Sequence, residues 1–162
     1  MHKNTTETRQ SIIDACLYMN SSGLNQGTSG NISIRTDEGI LITPSSLPYE
    51  DTRPEDIMLL PGDGLSGEAI GHHRPSSEWK FHADIYHERE EIQAVVHTHS
   101  TYATALSMHR QDIPACHYMI GVFGGDSIRC ADYAHYGSAD LSKNALIALQ
   151  DRTGCLLGTH GM

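Results

Sequence analysis

The sequence predicts a single α/β sandwich-like domain. Its 162 residues suffice for one domain with its own core and are too few for two ordinary ones. Segments with helical periodicity alternate with short β-type runs, and no internal repeat, low-complexity tract or linker separates them. We therefore assign residues 1–162 to one domain.

Composition and charge exclude several classes of protein. Hydrophobic residues make up 38% and charged residues 19% of the chain, and no apolar run approaches the roughly 20 residues of a membrane span. The first residues, MHKNTTETRQ, lead into no apolar stretch that would serve as a secretory signal. A formal net charge of −9 disfavours a nucleic-acid partner. We expect a cytoplasmic protein that binds neither a membrane nor nucleic acid.

The first part of the chain predicts a helix and then a hairpin. Between Thr5 and Ser22 apolar residues recur at three- and four-residue intervals, with Thr5 or Thr6 as the cap and Gly23 as the stop. The segment NISIR (Asn31–Arg35) alternates, the turn TDEG follows, and GILIT supplies a second strand.

The remaining elements continue the alternation of strands and helices. A strand is predicted near residues 56–60, and Ser76 or Ser77 would cap a helix that runs to about Arg89. A buried strand at 94–99, a helix at 101–108, a helix that Ser138 caps and Gly154 closes, and a strand at 155–160 follow.

Histidines are the first candidates for chemistry, because the chain has eleven of them against eleven Lys plus Arg. His97 and His99 lie two apart on a predicted strand, so their side chains share one face of it. Their backbones are then about 6 to 7 Å apart, and both imidazoles can point to one metal ion. His160 ends another predicted strand, and a third imidazole would complete a catalytic zinc site. Packed or exposed histidines that bind no metal are the alternative. The four cysteines form no CxxC pair, so no thiolate zinc site or disulfide framework is indicated.

The segment PSSE and the loop LNQGTSGN admit both a structural and a functional interpretation. Glu78 lies in the predicted first turn of a helix, where the dipole favours a carboxylate whatever its role. The hydroxyls of Ser76 and Ser77 can cap that helix or bind a phosphate at its start. The glycines and hydroxyls of the loop at 24–31 suit a phosphate and equally an ordinary turn.

Six segments in order resemble one family along essentially the whole chain. They are GLNQGTSGNISIR, LITPSSLPYE, PSSEWKFH, AVVHTHSTYATALS, IPACHYMIGVFGG and LLGTHGM. The chain resembles the L-fuculose-1-phosphate aldolases of the class II aldolase/adducin family. This resemblance implies a three-layer sandwich with a mixed, mainly antiparallel central sheet flanked by helices.

The resemblance also implies roles for individual residues. His97, His99 and His160 would bind zinc, and Glu78 would bind the resting metal and act as the catalytic base. Tyr118 would be supplied by a neighbouring subunit as a proton donor, within a homotetramer that has its sites at subunit interfaces. The substrate phosphate would be held by Gly30, Asn31, Ser45, Ser46, Ser76 and Ser77.

The implied reaction is reversible cleavage of a ketose 1-phosphate, of the L-fuculose 1-phosphate type, to dihydroxyacetone phosphate and an aldehyde such as L-lactaldehyde. Three alternatives remain: an aldolase for 5-deoxyribulose or 5-methylthioribulose 1-phosphate, a pentulose-phosphate 4-epimerase, and an adducin-like binding module. The chain departs from the family in two ways. Ser46 stands where these aldolases usually have glycine, and the usual C-terminal helix and tail are expected to be absent.

Overall fold

The computed structural model of the protein describes residues 2–162. Its α-helices are α1 (Thr6–Ser21), α2 (Trp79–Glu88), α3 (Thr101–Ser107) and α4 (Ala139–Ala148). Its strands are β1 (Asn31–Arg35), β2 (Gly39–Ile42), β3 (Met58–Pro61), β4 (Ala94–His97), β5 (Cys130–Ala131) and β6 (Leu156–Leu157). No helix in this described range is both long and apolar enough to traverse a bilayer.

The central sheet has the strand order β3-β2-β1-β4, and every neighbouring pair in it is antiparallel. The predicted hairpin of β1 and β2 is confirmed. Strand β4 lies on the other side of β1 in a register that sets Asn31 opposite His97. A separate parallel pair, β5 and β6, makes the domain mixed in strand direction.

Strand β2 is buried on both faces, and this makes the domain three-layered. Leu41 packs in one cluster with Ile12 of α1, whereas Ile40 and Ile42 pack in another with Tyr86 of α2. Because alternate side chains of a strand point to opposite faces, α1 and α2 cover opposite sides of the sheet. Helix α4 packs in turn against α2, since Leu141 and Phe81 belong to one buried hydrophobic cluster. The predicted three-layer α/β sandwich is confirmed.

Both long helices at the ends of the chain begin as predicted. The Thr5 hydroxyl accepts a hydrogen bond from Thr8 N (3.2 Å) at the start of α1. The Ser138 hydroxyl accepts one from Leu141 N (3.1 Å) at the start of α4. Each cap satisfies a backbone donor that the first helical turn leaves unpaired.

The start of α2 differs from the prediction. Neither Ser76 nor Ser77 is the N-cap; Glu78 occupies that position, so it is not inside the first helical turn. Ser76 N donates to Thr43 O (2.9 Å), which ties Ser76 to the end of β2 before the helix begins. Trp79 N then donates to Ser76 O (3.0 Å) in a turn. Extended pairing with β2 therefore delays the helix by two residues.

Two strand predictions near the histidines were also wrong in detail. Strand β4 ends at His97 and lies at the edge of the sheet, with Val96 53% exposed, so it is not a buried strand that reaches His99. A short β-branched run has the same sequence pattern in an edge strand as in a buried central strand, so the pattern does not distinguish the two. Strand β6 stops at Leu157, and His160 lies in the following turn, where its N–H donates to Leu157 O (3.0 Å).

Candidate metal centre

Four side chains from three separate segments converge at one point. They are Glu78 at the N-cap of α2, His97 at the end of β4, His99 just beyond it, and His160 after β6. One nitrogen or oxygen of each lies within 4.8 Å of the others. The ligand set predicted from the sequence is therefore assembled in space.

Backbone contacts bring the turn after β6 against the segment after β4. Thr98 N donates to Met162 O (2.9 Å) and Met162 N donates back to Thr98 O (3.0 Å). A Cβ at Gly161 would lie 2.5 Å from Thr98 O, so only glycine allows this approach. His99 N donates to Asn25 Oδ1 (3.1 Å), which anchors the other side of the segment.

The three imidazoles surround the Glu78 carboxylate. His97 Nε2 lies 3.2 Å from Glu78 Oε2, and His160 Nε2 lies 3.2 Å from Glu78 Oε1. His97 Nε2 and His99 Nε2 are 2.9 Å apart. The rings meet pairwise at 73–79° with centroids 4.8–4.9 Å apart, so their edges rather than their faces point to the centre.

The protonation of the group suits a cation. Burial alone would raise the pKa of Glu78, but the hydrogen bonds and charge of its neighbours, His97 first, outweigh burial and lower that pKa to about 2. Burial lowers the pKa of His99 to about 4 and also lowers the pKa of His160. The ionised carboxylate thus faces His99 and His160, whose lowered pKa values favour the neutral imidazole that binds a metal.

Two further observations test whether a metal fits these residues. Glu78 Oε1 is buried and makes no hydrogen bond within residues 2–162, because the approach of His160 lacks hydrogen-bond geometry. His97 Nδ1 lies 2.9 Å from Met162 O, a carbonyl that can only accept, so Nδ1 carries a proton and Nε2 is the free ligand atom. Three imidazole nitrogens and one carboxylate oxygen form a set that zinc binds tetrahedrally. The residues fit a metal ion.

Residues 10–162 match the family described as Class II Aldolase and Adducin N-terminal domain. The chain belongs to this family.

Similar proteins place the chain on the enzymatic side of the class II aldolase and adducin family. It is 47% identical over 154 residues to the 5-methylthioribulose-1-phosphate/5-deoxyribulose-1-phosphate aldolase of Rhodospirillum rubrum, covering 95% of this chain and 68% of that protein. It is 46% identical over 151 residues to the L-fuculose phosphate aldolase of Escherichia coli K12, covering 93% and 69%. A solved L-fuculose 1-phosphate aldolase superposes with a TM-score of 0.90 at 36% identity, covering 97% and 74%. The chain is a class II aldolase, a lyase, and not the adducin-like binding module.

A cavity of about 380 Å³ opens beside the candidate metal ligands of this class II aldolase. Glu78, His99 and His160 line it at the metal end. It is also lined by Thr28 and Ser29, from the loop whose hydroxyls suit a phosphate or an ordinary turn, and by Tyr133, Tyr136 and Thr159, which no sequence motif singled out. The Ser- and Gly-rich loop at 24–31 was a signal for Thr28 and Ser29. No sequence pattern indicated the two tyrosines. They lie in the irregular segment before α4, and only the path of that segment places them at the cavity.

The six residues expected to bind the phosphate differ in their exposure to solvent. Ser77 is exposed and lines the cavity, whereas Ser76 is 5% exposed and its hydroxyl accepts from Glu78 N (3.3 Å). An isolated bridge between Pro44 and Pro75 holds the loop of Ser45 and Ser46 next to the segment of Ser76 and Ser77. The two serine pairs therefore lie on neighbouring segments.

Three of these positions show specific backbone or side-chain constraints. Ser46 has a φ of 61°, so it keeps the left-handed conformation that favours glycine. A Cβ at Gly30 would lie 2.6 Å from His97 O, so this glycine permits close packing of β1 on β4. Asn31 is 4% exposed and its Nδ2 donates to Glu78 Oε2 (3.1 Å).

Tyr118 is the predicted site residue that the single chain does not bring to the centre. It lies in a 3-10 segment (Tyr118–Phe123), is 84% exposed, and does not line the cavity within residues 2–162. Its ring centroid lies 4.6 Å from that of the neighbouring His117, with the two ring planes tilted by 32°. A role at the metal centre would require that Tyr118 come from another subunit.

Proposed function

We propose that the protein is a zinc-dependent aldolase that reversibly cleaves a ketose 1-phosphate, of the L-fuculose 1-phosphate type, to dihydroxyacetone phosphate and an aldehyde such as L-lactaldehyde. The observation that supports it best is the convergence of Glu78 with three imidazoles beside a polar cavity. Residues 1–162 would constitute the catalytic domain. The E. coli and R. rubrum relatives, both named as sugar-phosphate aldolases, support this substrate class.

The metal centre has one chemical task in this proposal. Held by His97, His99, His160 and Glu78, zinc would supply the Lewis acidity that stabilises the negative charge developing as a carbon–carbon bond breaks.

The protons require two groups of the protein. Breaking the bond between C3 and C4 of the ketose removes a proton from the C4 hydroxyl and adds one to C3, while the electron pair moves toward the C2 carbonyl. The Glu78 carboxylate beside the cavity would take a proton from the carbon that becomes C3 in the direction of synthesis, and would return that proton to C3 on cleavage. Tyr118 of a neighbouring subunit would take the proton from the C4 hydroxyl, and would return it in the direction of synthesis.

The phosphate fixes the substrate along the cavity. The exposed hydroxyl of Ser77 and those of Thr28 and Ser29 face the same space as Glu78. We also assign Gly30, Asn31, Ser45, Ser46 and Ser76 to the phosphate site, where the buried Ser76 would support the site mainly through the hydrogen bond that it accepts from Glu78 N. Holding the phosphate there uses binding energy to position C3 and C4 over the catalytic groups. The assembly would be a homotetramer with its sites at subunit interfaces.

A second specificity has comparable support. The 5-methylthioribulose-1-phosphate/5-deoxyribulose-1-phosphate aldolase is 47% identical to this chain and the E. coli L-fuculose phosphate aldolase is 46% identical, so identity does not favour either. These ketose phosphates share the dihydroxyacetone phosphate half and differ at the aldehyde end. The tyrosines Tyr133 and Tyr136 line the cavity and are the candidates to contact that end.

A coupled assay for dihydroxyacetone phosphate tests the proposal. The zinc-loaded protein is incubated with L-fuculose, 5-deoxyribulose and 5-methylthioribulose 1-phosphates, and release of dihydroxyacetone phosphate is followed by its reduction. We expect release from at least one of them and none with a His97→Ala/His99→Ala variant. Isomerised ketose phosphate without free dihydroxyacetone phosphate would indicate an epimerase instead, and no turnover of any of them would refute the proposal.

A further inference from the structure

A buried chain of hydrogen bonds leads from the interior to the metal centre. Tyr86 OH donates to Ser33 O (2.9 Å) and lies 2.9 Å from Ser33 Oγ. Ser33 Oγ lies 2.7 Å from His82 Nδ1, and His82 Nε2 lies 2.5 Å from Asn31 Oδ1. Asn31 Nδ2 then donates to Glu78 Oε2 (3.1 Å). Each of the five residues that these hydrogen bonds connect is at most 4% exposed.

The chain runs along the contact between α2 and β1. His82 lies one helical turn after Glu78 on α2, and Asn31 and Ser33 lie two apart on β1, so they share a face of the strand. His82 itself is 0% exposed, and its ring stacks on Phe81 at 4.6 Å. Burial lowers the pKa of His82 to about 3, so its imidazole is neutral. A neutral imidazole has one N–H and one lone pair.

Only two arrangements of protons satisfy this chain. In the first, the Ser33 hydroxyl donates to His82 Nδ1, His82 Nε2–H donates to Asn31 Oδ1, and the Asn31 amide group donates to Glu78. In the second, every donor is reversed, and the Asn31 oxygen must face Glu78 Oε2. Because the carboxylate is an acceptor only, the second arrangement places two acceptors against each other in a buried site. The hydrogen bond that Asn31 Nδ2 donates to Glu78 Oε2 (3.1 Å) therefore selects the first arrangement.

We propose that His82 is a positioning residue whose Nε2–H holds the Asn31 amide in the one orientation that donates to Glu78 Oε2. This fixes the carboxylate by one oxygen and leaves the other, Oε1, without a hydrogen bond within residues 2–162 and directed at the metal ligands. The inference rests on Glu78 being a metal ligand and base in the proposed function. His82 is neither a proposed metal ligand nor a proposed substrate-binding residue. It acts on Glu78 only through Asn31.

The tautomer of His82 in the unmodified protein provides the direct test. Nitrogen NMR of the zinc-free protein, with the His82 signals assigned by comparison with His82→Gln, distinguishes a protonated from an unprotonated ring nitrogen. We expect hydrogen on Nε2 and none on Nδ1. The opposite tautomer would overturn the proposal, and the experiment requires no enzymatic activity.

A pair of variants tests the consequence for the metal centre. His82→Gln can place an amide donor near the position of Nε2, whereas His82→Asn is polar but too short to reach Asn31. We expect zinc affinity, measured by competition with a chromophoric chelator, to change less than about 3-fold in His82→Gln and to fall by about 10- to 100-fold in His82→Asn, the range for lost outer-shell partners.

Turnover provides a second readout of the same variants. On a ketose phosphate that the protein cleaves, kcat should fall for His82→Asn and be retained by His82→Gln. Equal zinc affinity in the two folded variants would contradict the proposal, because a merely structural role would alter only their thermal unfolding. Absence of aldolase activity in the unmodified protein would refute the proposed function and leave the tautomer and zinc results to decide this inference.

Discussion

Asn31 lies directly opposite His97 across the antiparallel pair of β1 and β4. The Asn31 amide and the His97 ring approach the same atom, Glu78 Oε2, at 3.1 and 3.2 Å. A slip of one residue between these strands would turn one of the two side chains to the other face of the sheet. The pairing of two strands is therefore part of the metal centre, although neither Asn31 nor β1 supplies a metal ligand.

The metal content of the protein is the first prediction. The purified chain should hold about one zinc per chain, since three imidazoles and a carboxylate complete a tetrahedral site. His97→Ala/His99→Ala should lose it, and the exposed pair His87→Ala/His109→Ala should keep it. Elemental analysis after dialysis gives the stoichiometry. Full zinc in the first double variant would mean that the ion binds elsewhere.

The stability of the zinc-free protein should depend on pH through its buried histidines. Burial, with a smaller effect of His97, lowers the pKa of His82 from 6.5 to about 3 in the folded chain. The unfolded chain takes up the proton more readily, so this contribution to stability is present above pH 6.5 and is lost progressively as pH falls towards about 3. The lowered pKa of Glu78 acts in the same direction, but only below its ordinary value of 4.5.

Urea unfolding at two pH values measures this effect. Between about pH 7.5 and about pH 5.5, His82 should account for a loss of about 1 kcal/mol in the free energy of unfolding. His82→Gln cannot take up this proton and should lose correspondingly less over the same interval. Identical losses in the two proteins would show that His82 is not held neutral by the fold.

The elements of the fold that could be read from sequence are those decided locally. The Thr5 and Ser138 caps and the β1–β2 hairpin depend on neighbours a few residues away, and all were predicted correctly. The start of α2 was not, because Ser76 is held by Thr43, a residue just after β2 and far away in sequence. The edge position of β4 likewise depends on which strands pair.

The candidate site divides in the same way. His97, His99, His160 and Glu78 stood out through motifs, and they do converge. The hydrogen bond from His82 to Asn31 joins a helix to a strand far away in sequence, and no spacing rule predicts it. Tyr133 and Tyr136 reach the cavity only through the path of the chain before α4.

The two serines of PSSE should behave differently when each is replaced. Ser77 is exposed and lines the cavity, so Ser77→Ala should raise KM for a ketose phosphate with little effect on the free ketose. Ser76 is buried against Glu78 N, so Ser76→Ala should mainly lower the free energy of unfolding by about 1 kcal/mol. Steady-state kinetics and urea unfolding separate the two effects. An equal rise in KM for phosphorylated and free sugars would exclude Ser77 from phosphate binding, and Ser11→Ala, exposed on α1, is the control.

Gly161 should be required for metal binding although it is not a ligand. An added Cβ would lie 2.5 Å from Thr98 O and 3.4 Å from ring carbons of both His97 and His99, so Gly161→Ala must displace His160 from them. We expect zinc affinity to fall by about 10- to 100-fold, as when groups that orient metal ligands are lost. Gly121→Ala is the matched control, because nothing lies within 4 Å of its added Cβ. Unchanged zinc affinity in Gly161→Ala would show that the turn can adjust without moving His160.

Assembly is tested through Glu78 and Tyr118, because the single chain leaves Tyr118 84% exposed and outside the cavity. If the two residues serve one site from neighbouring subunits, Glu78→Gln and Tyr118→Phe should each slow turnover by about 100- to 10,000-fold, the usual contribution of acid–base groups. Each variant alone gives oligomers in which every site lacks one group.

Mixed oligomers of the two variants decide whether the site is shared. Some interfaces would then combine the intact Glu78 of a Tyr118→Phe chain with the intact Tyr118 of a Glu78→Gln chain, so part of the activity should return. Differently tagged chains, purified in two affinity steps, ensure that the measured species contains both variants. Mixed oligomers of Glu78→Gln with a His97→Ala/His99→Ala chain are the control, because Glu78 and the histidines belong to one chain and no interface can restore a complete centre. Recovery in the control as well would show that mixing restores activity without a site shared between Glu78 and Tyr118. No recovery in folded, zinc-loaded mixtures of Glu78→Gln and Tyr118→Phe would show that Tyr118 is not the acid of a neighbouring site.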